Sequence, residues 1–271
     1  MKKILITGAS GFLGGKAASY FSASYEVLTP THKEMDITNA NDVNRVIDDF
    51  RPDVIIHCAA MADIGQCEQQ PVLSWERNVT GSINIASAAV RTGAKCLLCS
   101  SDQVYTAEPI NLYAKEKMAA EQECLKINPD CVFLRLSWMY EPFPKEGDTH
   151  SDFVTYMLPF LTSEESLSFG THEKRGLTDV NEVVANMEKA ISLPGGIYDF
   201  GAPNEKTMYD TVIAVFEGLG LPTDRVKANE EEFADNPIDL TLKQDALNRN
   251  GIYFTDTTEA LVRNFTKHLG Q

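Results

Sequence analysis

Tyr113 and Lys117 stand four residues apart in LYAKEKMAAEQECLKI, a spacing that stacks two side chains on one helical face, one turn from each other. A phenol titrates at about 10, too high for acid–base work near neutral pH. A fixed ammonium one turn away favours the phenolate and brings the group nearer its working range. Ser101 precedes the pair by twelve residues and ends the apolar stretch AKCLLCSS, where its hydroxyl can hydrogen-bond a carbonyl oxygen. The three make a proton-transfer set: Tyr113 the acid or base, Lys117 its helper, Ser101 the polarising group. Lys115, two positions from either partner, faces elsewhere.

The first fourteen residues, MKKILITGASGFLG, hold a second set. Ile4, Leu5 and Ile6 fit a strand buried on both faces of a parallel sheet. Gly8, Gly11 and Gly14 then follow at intervals of three, before an amphipathic run through Ala17, Ala18, Tyr20 and Phe21. Strand, glycine turn and helix in that order form the context of a dinucleotide-binding loop. Glycine allows the tight turn and lets backbone N–H groups approach a pyrophosphate. Ser10, Phe12 and Leu13 belong to the same loop. A second strand, YEVL, runs into TPTHKEMDIT. No carboxylate stands at its end to repel a 2′-phosphate, and His32 and Lys33 follow, which favours NADP over NAD. The other reading makes Lys33 a solvated lysine and gives the ribose to Glu34. Asp36 and Ile37 are placed for the adenine edge.

The elements that must hold these residues alternate. Val43, Val46, Ile47 and Phe50 lie at helical spacing behind an Asn or Asp cap. VIIHCAA is a buried strand, in fourth position, ending at Cys58, Ala59 and Ala60, small residues that leave room for a flat ring or a ribose. A long helix from Val72 to Arg91 stops at Thr92–Gly93. It carries Asn78, which either shapes the active-site end of the sheet or is a surface amide. The strand ending in Ser101 and the helix Tyr113–Asn128 complete an α/β pattern, a doubly wound parallel Rossmann sheet. Ligands of such sheets bind beyond the carboxyl ends of the strands, where Ser101 lies. Residues 1–140 are expected to form the dinucleotide domain, with 176–200 adding a helix and a strand. Residues 141–271 are expected to form mainly a smaller mixed α/β substrate lobe. In it Asp179 caps a helix through Ala190, GGIYDFGA is a strand, and helices follow at Tyr209–Leu219, Lys243–Asn250 and Thr257–Leu269. Glu141–Ser151, rich in Pro, Gly and charge, reads as a loop or lid. Glu230–Glu232 reads as a solvated acidic turn, and no metal site is expected.

Composition narrows the classes. Net charge is −15, from 39 acidic and 24 basic residues, the opposite of a nucleic-acid footprint. No apolar run of about 18 residues exists to span a membrane. Lys2 and Lys3 precede too short an apolar stretch for a signal peptide, so a cytoplasmic protein is expected. Of six cysteines, Cys96 and Cys99 form a CxxC inside the strand CLLC. Residues three apart on a strand point to opposite faces, so buried reduced thiols in a reducing compartment are expected.

The GxxGxxG spacing resembles the extended branch of the short-chain dehydrogenase/reductase superfamily. With VIIHCAA, SSDQVY, LYAKEK, CVFLRLSWMYEP and PIDLTLKQDAL, nearly the whole chain resembles the dTDP-4-dehydrorhamnose reductase family. The resemblance implies an NADP(H)-dependent reductase of a 4-keto nucleotide sugar, with Ser101, Tyr113 and Lys117 catalytic. It implies that Tyr113 and Lys117 also meet the cofactor, and that Ala62, Ser101, Asp102, Trp138 and Arg175 occupy substrate-side positions. Trp138 would border the sugar, or else pack in the core; Arg175 would face a diphosphate, or else be a surface cation. Two stretches depart from the family pattern: Met61-Ala62 replaces an aromatic-Thr pair, and FGTHEKRGLTD replaces its Asp-Gln-x-Gly loop. An epimerase or dehydratase on the same scaffold is one alternative. A non-catalytic NADP-binding subunit, like that of methionine adenosyltransferase, is another. The resemblance also allows a homodimer.

Overall fold

A computed structural model describes residues 1–106, 108, 110–144 and 152–270. The first half alternates strand and helix: β1 (Lys3–Thr7), α1 (Phe12–Phe21), β2 (Glu26–Leu28), α2 (Ala40–Phe50), β3 (Val54–His57), α3 (Ile64–Gln69), α4 (Pro71–Trp75), α5 (Gly81–Thr92), β4 (Lys95–Ser101), α6 (Leu112–Ile127) and β5 (Val132–Leu136). The rest is β6 (Trp138–Tyr140), α7 (Phe153–Met157), β7 (Leu167–Gly170), β8 (Glu173–Arg175), β9 (Leu177–Asp179), α8 (Val180–Ala190), β10 (Gly196–Phe200), α9 (Met208–Leu219), β11 (Val226–Asn229), β12 (Ile238–Leu240), α10 (Asp245–Asn248) and α11 (Thr257–Leu269).

Six strands form one sheet in the order β10-β5-β4-β3-β1-β2, with β2–β1, β1–β3 and β3–β4 paired in parallel. The fold is therefore the expected doubly wound α/β sheet. Ile4, Leu5 and Ile6 are fully buried, as are Ile55 and Ile56 of β3, which is why both strands read as unbroken apolar runs. VIIHCAA supplies the third strand along the chain and the fourth from the β10 edge.

Two compact units divide the chain: Met1–Val104, Pro109–Arg135 and Val184–Tyr198 make one; Tyr105–Glu108, Leu136–Val183 and Asp199–Gln271 the other. In the first unit α2 and α5 pack Val43, Val46, Ile47, Ile85 and Ala89 against Leu5, Ile55 and Leu98. In the second, Tyr140, Phe153, Met157, Val212, Phe216, Leu261 and Phe265 form a separate core, and β6–β9, β7–β11 and β8–β12 are parallel pairs. Asp179 accepts from the Asn181 N–H at the start of α8, 2.9 Å away.

The helix read as continuous from Val72 to Arg91 begins at Pro71 and contains a π turn at Glu76–Thr80 between α4 and α5. Gly93 ends it at φ +74°, the left-handed conformation that glycine tolerates. α3 has no counterpart in the sequence reading. It is only six residues long and starts on an Asp63 cap that accepts from Gln66 N–H, too short to show a period. Residues 145–151 of the expected lid lie outside the described residues. Among the described residues no helix is long and apolar enough to cross a membrane.

Candidate active site

The glycine loop is built by close approach. Gly8 sits at φ +72°, and a Cβ there would come within 2.6 Å of the Ala59 nitrogen at the end of β3. A Cβ on Gly14 would overlap the Gly8 carbonyl oxygen, so α1 can start this near β1 only without one. α1 has no side-chain cap at Gly11, which leaves its N-terminal end suited to an anion. Thr7 ties the floor together: its hydroxyl bonds His57 Nδ1 at 2.8 Å and accepts from Ala59 N–H at 3.2 Å. Burial first, and Lys117 second, push His57 down to about 3, so its ring is neutral at physiological pH.

A cavity of about 630 Å³ opens over this loop. Of the expected cofactor positions, Gly8, Ser10, Gly11, His32, Asp36, Ile37, Cys58, Ala59 and Ala60 line it. Phe12, Leu13 and Gly14 form the first turn of α1 instead, with Leu13 buried. Lys33 is not among the residues that line the cavity. Residues 31–35 close into a turn, with Glu34 N–H and Met35 N–H both donating to Thr31 O at 3.0 Å. Thr31 N–H and hydroxyl in turn both donate to Glu34 at 2.8 Å. Lys33 and Glu34 are left lining a separate groove with Leu28 and Arg45. The Glu34 carboxylate, held low by the Thr31 hydrogen bonds, is thereby engaged within the turn.

Arg77 lines the dinucleotide cavity in their place. Its charge is among the influences that keep Asp36 ionised, although burial opposes them. No spacing rule singles it out, because it is remote in sequence from the glycine loop whose cavity it lines.

The proton-transfer set lies in the same unit, on the end of β4 and the first turns of α6. Two buried carboxylates seat α6. Glu121 accepts from Ser100 Oγ at 2.6 Å and from Arg135 Nε and Nη2 at 2.9 and 2.7 Å. Glu116 accepts from Ser74 Oγ at 2.6 Å and Asn78 Nδ2 at 2.7 Å. Asn78 is 1% exposed, not a surface amide; it also bonds both the N–H and the carbonyl of Met61, at 2.8 and 2.9 Å. It therefore holds the strand-end loop that carries Met61 and exposed Ala62. Asn78→Ala is expected to destabilise the chain by about 1–3 kcal/mol, the cost of leaving such buried groups unpaired, read as a lowered Tm.

The Tyr113 ring packs against Met61 and Cys67. Burial pushes its hydroxyl well above the ordinary phenol range; Cys99 and Asp102 add to this and a hydrogen bond with Ser101 opposes it. Lys117, expected to lower it, is not among these influences. Lys117 Nζ lies 5.5 Å from the centre of the Tyr113 ring and donates to the Cys99 carbonyl at 2.9 Å. Burial lowers its own titration first. Ser101 accepts from Gln103 N–H at 3.2 Å and donates to Asp102 Oδ1 at 3.3 Å; Asp102 is buried. Lys115 is exposed, as its position implied.

In the second unit, the Arg175 guanidinium carbon lies 5.3 Å from the Trp138 ring centre, and Arg175 Nε pairs with Glu173 Oε1 at 2.6 Å. Arg175 is thus a strand residue fixed on two sides, not a loose surface cation. Trp138 stays 40% exposed and its ring meets Phe153 edge-on. Among the described residues no group of three or more His, Cys, Asp or Glu could hold a metal ion.

Comparison with known proteins places this geometry. Residues 1–269 match the RmlD substrate binding domain family. The dTDP-4-dehydrorhamnose reductase of Aggregatibacter actinomycetemcomitans is 31% identical over 238 residues, 80% of this chain and 79% of that protein. Methionine adenosyltransferase 2 subunit beta of Xenopus laevis is 28% identical, covering 89% of this chain and 78% of that one. The crystal structure of dTDP-4-dehydrorhamnose reductase from Bacillus anthracis in complex with NADP superposes with a TM-score of 0.81, at 26% identity, covering 98% of this chain and 99% of that one. A glycine-cradled cavity, a Tyr–Lys helix beside a strand-end Ser, and a match along almost the whole chain lead to one conclusion: this chain belongs to the RmlD substrate binding domain family.

Proposed function

We propose that the chain is an NADP(H)-dependent reductase of the keto group of a nucleotide sugar, of the 4-keto kind on which its reductase relatives are named. The observation that carries this reading is the seating of Tyr113 and Lys117 on α6 beside Ser101, in the unit that holds the dinucleotide cavity. That cavity fits such a cofactor because Gly8 and Gly14, lacking a Cβ, let the ends of β1, β3 and α1 close together beneath it, and α1 starts there without a side-chain cap. The loop to Ala60 would hold the dinucleotide, with Arg77 as the cation and His32 as a hydrogen-bonding neighbour for its phosphates. When bound, the nicotinamide supplies a hydride. Tyr113 gives its proton to the carbonyl oxygen, Ser101 polarises that oxygen by a hydrogen bond, and Lys117 holds the ribose side and the end of β4. Trp138 and Arg175 are the proposed nucleotide-sugar contacts of the second unit, Arg175 suiting a diphosphate by its planar fork.

Purified protein with NADPH, then NADH, against dTDP-, UDP- and GDP-4-keto sugars tests this by the loss of nicotinamide absorbance. Turnover on one of them is expected. Tight NADPH binding with no turnover would overturn the reductase reading and favour a binding role, like that of the methionine adenosyltransferase relative. Arg77→Ala is expected to weaken NADPH binding by about tenfold or more, the value of one charge-assisted hydrogen bond. NADH should lose less in the same titration if Arg77 meets the 2′-phosphate, and equally if it meets the pyrophosphate.

A further inference from the structure

β3 and β4 are paired in parallel as far as His57 and Leu98. The next residue on each chain is a cysteine, and paired positions of neighbouring strands present their side chains to the same face. The Sγ atoms of Cys58 and Cys99 are accordingly 3.6 Å apart. All six cysteines are free, but Cys67, Cys96, Cys124 and Cys131 are buried, whereas Cys58 and Cys99 are each partly exposed. Cys58 also lines the dinucleotide cavity. Lys117, bonded to the Cys99 carbonyl, brings an ammonium beside the pair. Neighbouring strands run about 4.8 Å apart, within the Cα separation of about 4.4–6.8 Å that a disulfide spans. Side-chain rotation can therefore close the bond while the sheet stays paired.

We propose that Cys58 and Cys99 form an oxidisable dithiol that a hydroperoxide converts to an intramolecular disulfide, and that a bound dinucleotide shields both sulfurs by filling the cavity that Cys58 lines, through which the peroxide enters. Cys99 is the attacking sulfur. Its hydrogen bond with Cys58 and the Lys117 charge hold its titration below that of a free thiol, while Cys58 is held higher. The Cys99 thiolate attacks one oxygen of hydrogen peroxide, the O–O bond breaks, and the departing hydroxide takes a proton to leave as water. The Cys58 sulfur then attacks the resulting sulfenic acid. The S–O bond breaks and a second water leaves with the remaining thiol proton. Two sulfurs are oxidised by one electron each, and one peroxide is reduced to two waters.

The test is graded hydrogen peroxide on the full chain, with and without NADP⁺, followed by alkylation, intact mass and peptide mapping. The expected product is lighter by two hydrogens, carries one crosslink between the Cys58 and Cys99 peptides, and is restored by dithiothreitol. NADP⁺ at ten times its Kd should slow its formation about tenfold. Cys58→Ser and Cys99→Ser should each abolish the crosslink. A crosslink elsewhere, oxygen adducts in its place, or an unchanged rate with NADP⁺ bound would overturn the proposal. The shielding rests on the dinucleotide reading, so NADP⁺ affinity is measured by calorimetry on the same samples. A chain that crosslinks but binds no NADP⁺ counts against that reading and the shielding, and leaves the dithiol standing.

Discussion

Tyr113→Phe is expected to lower kcat for NADPH-dependent keto-sugar reduction by about 10²–10⁴-fold, the usual worth of a positioned general acid, with NADPH affinity changed only a few-fold. The ring remains in Phe, so the packing on Met61 and Cys67 persists and only the proton is lost. The sign of the pH profile follows from burial. Reduction needs Tyr113 protonated, and its hydroxyl is raised above the ordinary value of 10.0. Reductive kcat should therefore hold across the neutral range, with the limb due to Tyr113 lying on the alkaline side of 10. The reverse oxidation needs the phenolate and should climb with pH over the same range. A limb near neutrality, moved upward by Lys117→Met, would show instead that the ammonium governs the phenol once ligands are bound. Stopped-flow rates across pH, with wild type and both variants, decide between these.

The Tyr113–Lys117 pair shows where the sequence stops informing. The four-residue step from Tyr113 to Lys117 shows that they share a helical face. It does not show that Nζ turns to the Cys99 carbonyl, because that depends on β4 lying under α6. The strand–glycine–helix opening was legible since every part of it is local: three buried aliphatics, a turn, an amphipathic run. The family resemblance was legible for the same reason, being carried by short stretches at the ends of strands. Composition offers Lys33 as a cation but is blind to the turn closed by Thr31 and Glu34, after which Lys33 lines a separate groove. Arg77 was missed because no spacing links it to the glycine loop, and only the folded chain puts both on one cavity. The period-two argument rightly separated Cys96 from Cys99. The partner of Cys99 lies 41 residues earlier and becomes visible only once β3 and β4 are neighbours.

Gly8→Ala is expected to abolish dinucleotide binding and to cost the fold about 2–5 kcal/mol. The left-handed φ costs an L-residue about 1–2 kcal/mol, and forcing a methyl against the backbone at Ala59 adds about 1–3 kcal/mol of overpacking. Against a total stability of about 5–15 kcal/mol that is a large fraction, so calorimetric binding must be read below the lowered Tm. Gly14→Ala separates the two causes. It needs no left-handed φ, yet its methyl would overlap the Gly8 carbonyl, pushing α1 away from the turn that must face a pyrophosphate. Gly93→Ala is the opposite control, with φ +74° and no atom within 4 Å of the added carbon. It should lose only the conformational term and bind NADPH as wild type does. Should Gly8→Ala and Gly14→Ala both bind NADPH normally, the loop is a structural turn and the cofactor lies elsewhere. If both fail while Gly93→Ala binds, close approach of backbone to phosphate, rather than glycine's freedom of φ, is what the first helix turn supplies.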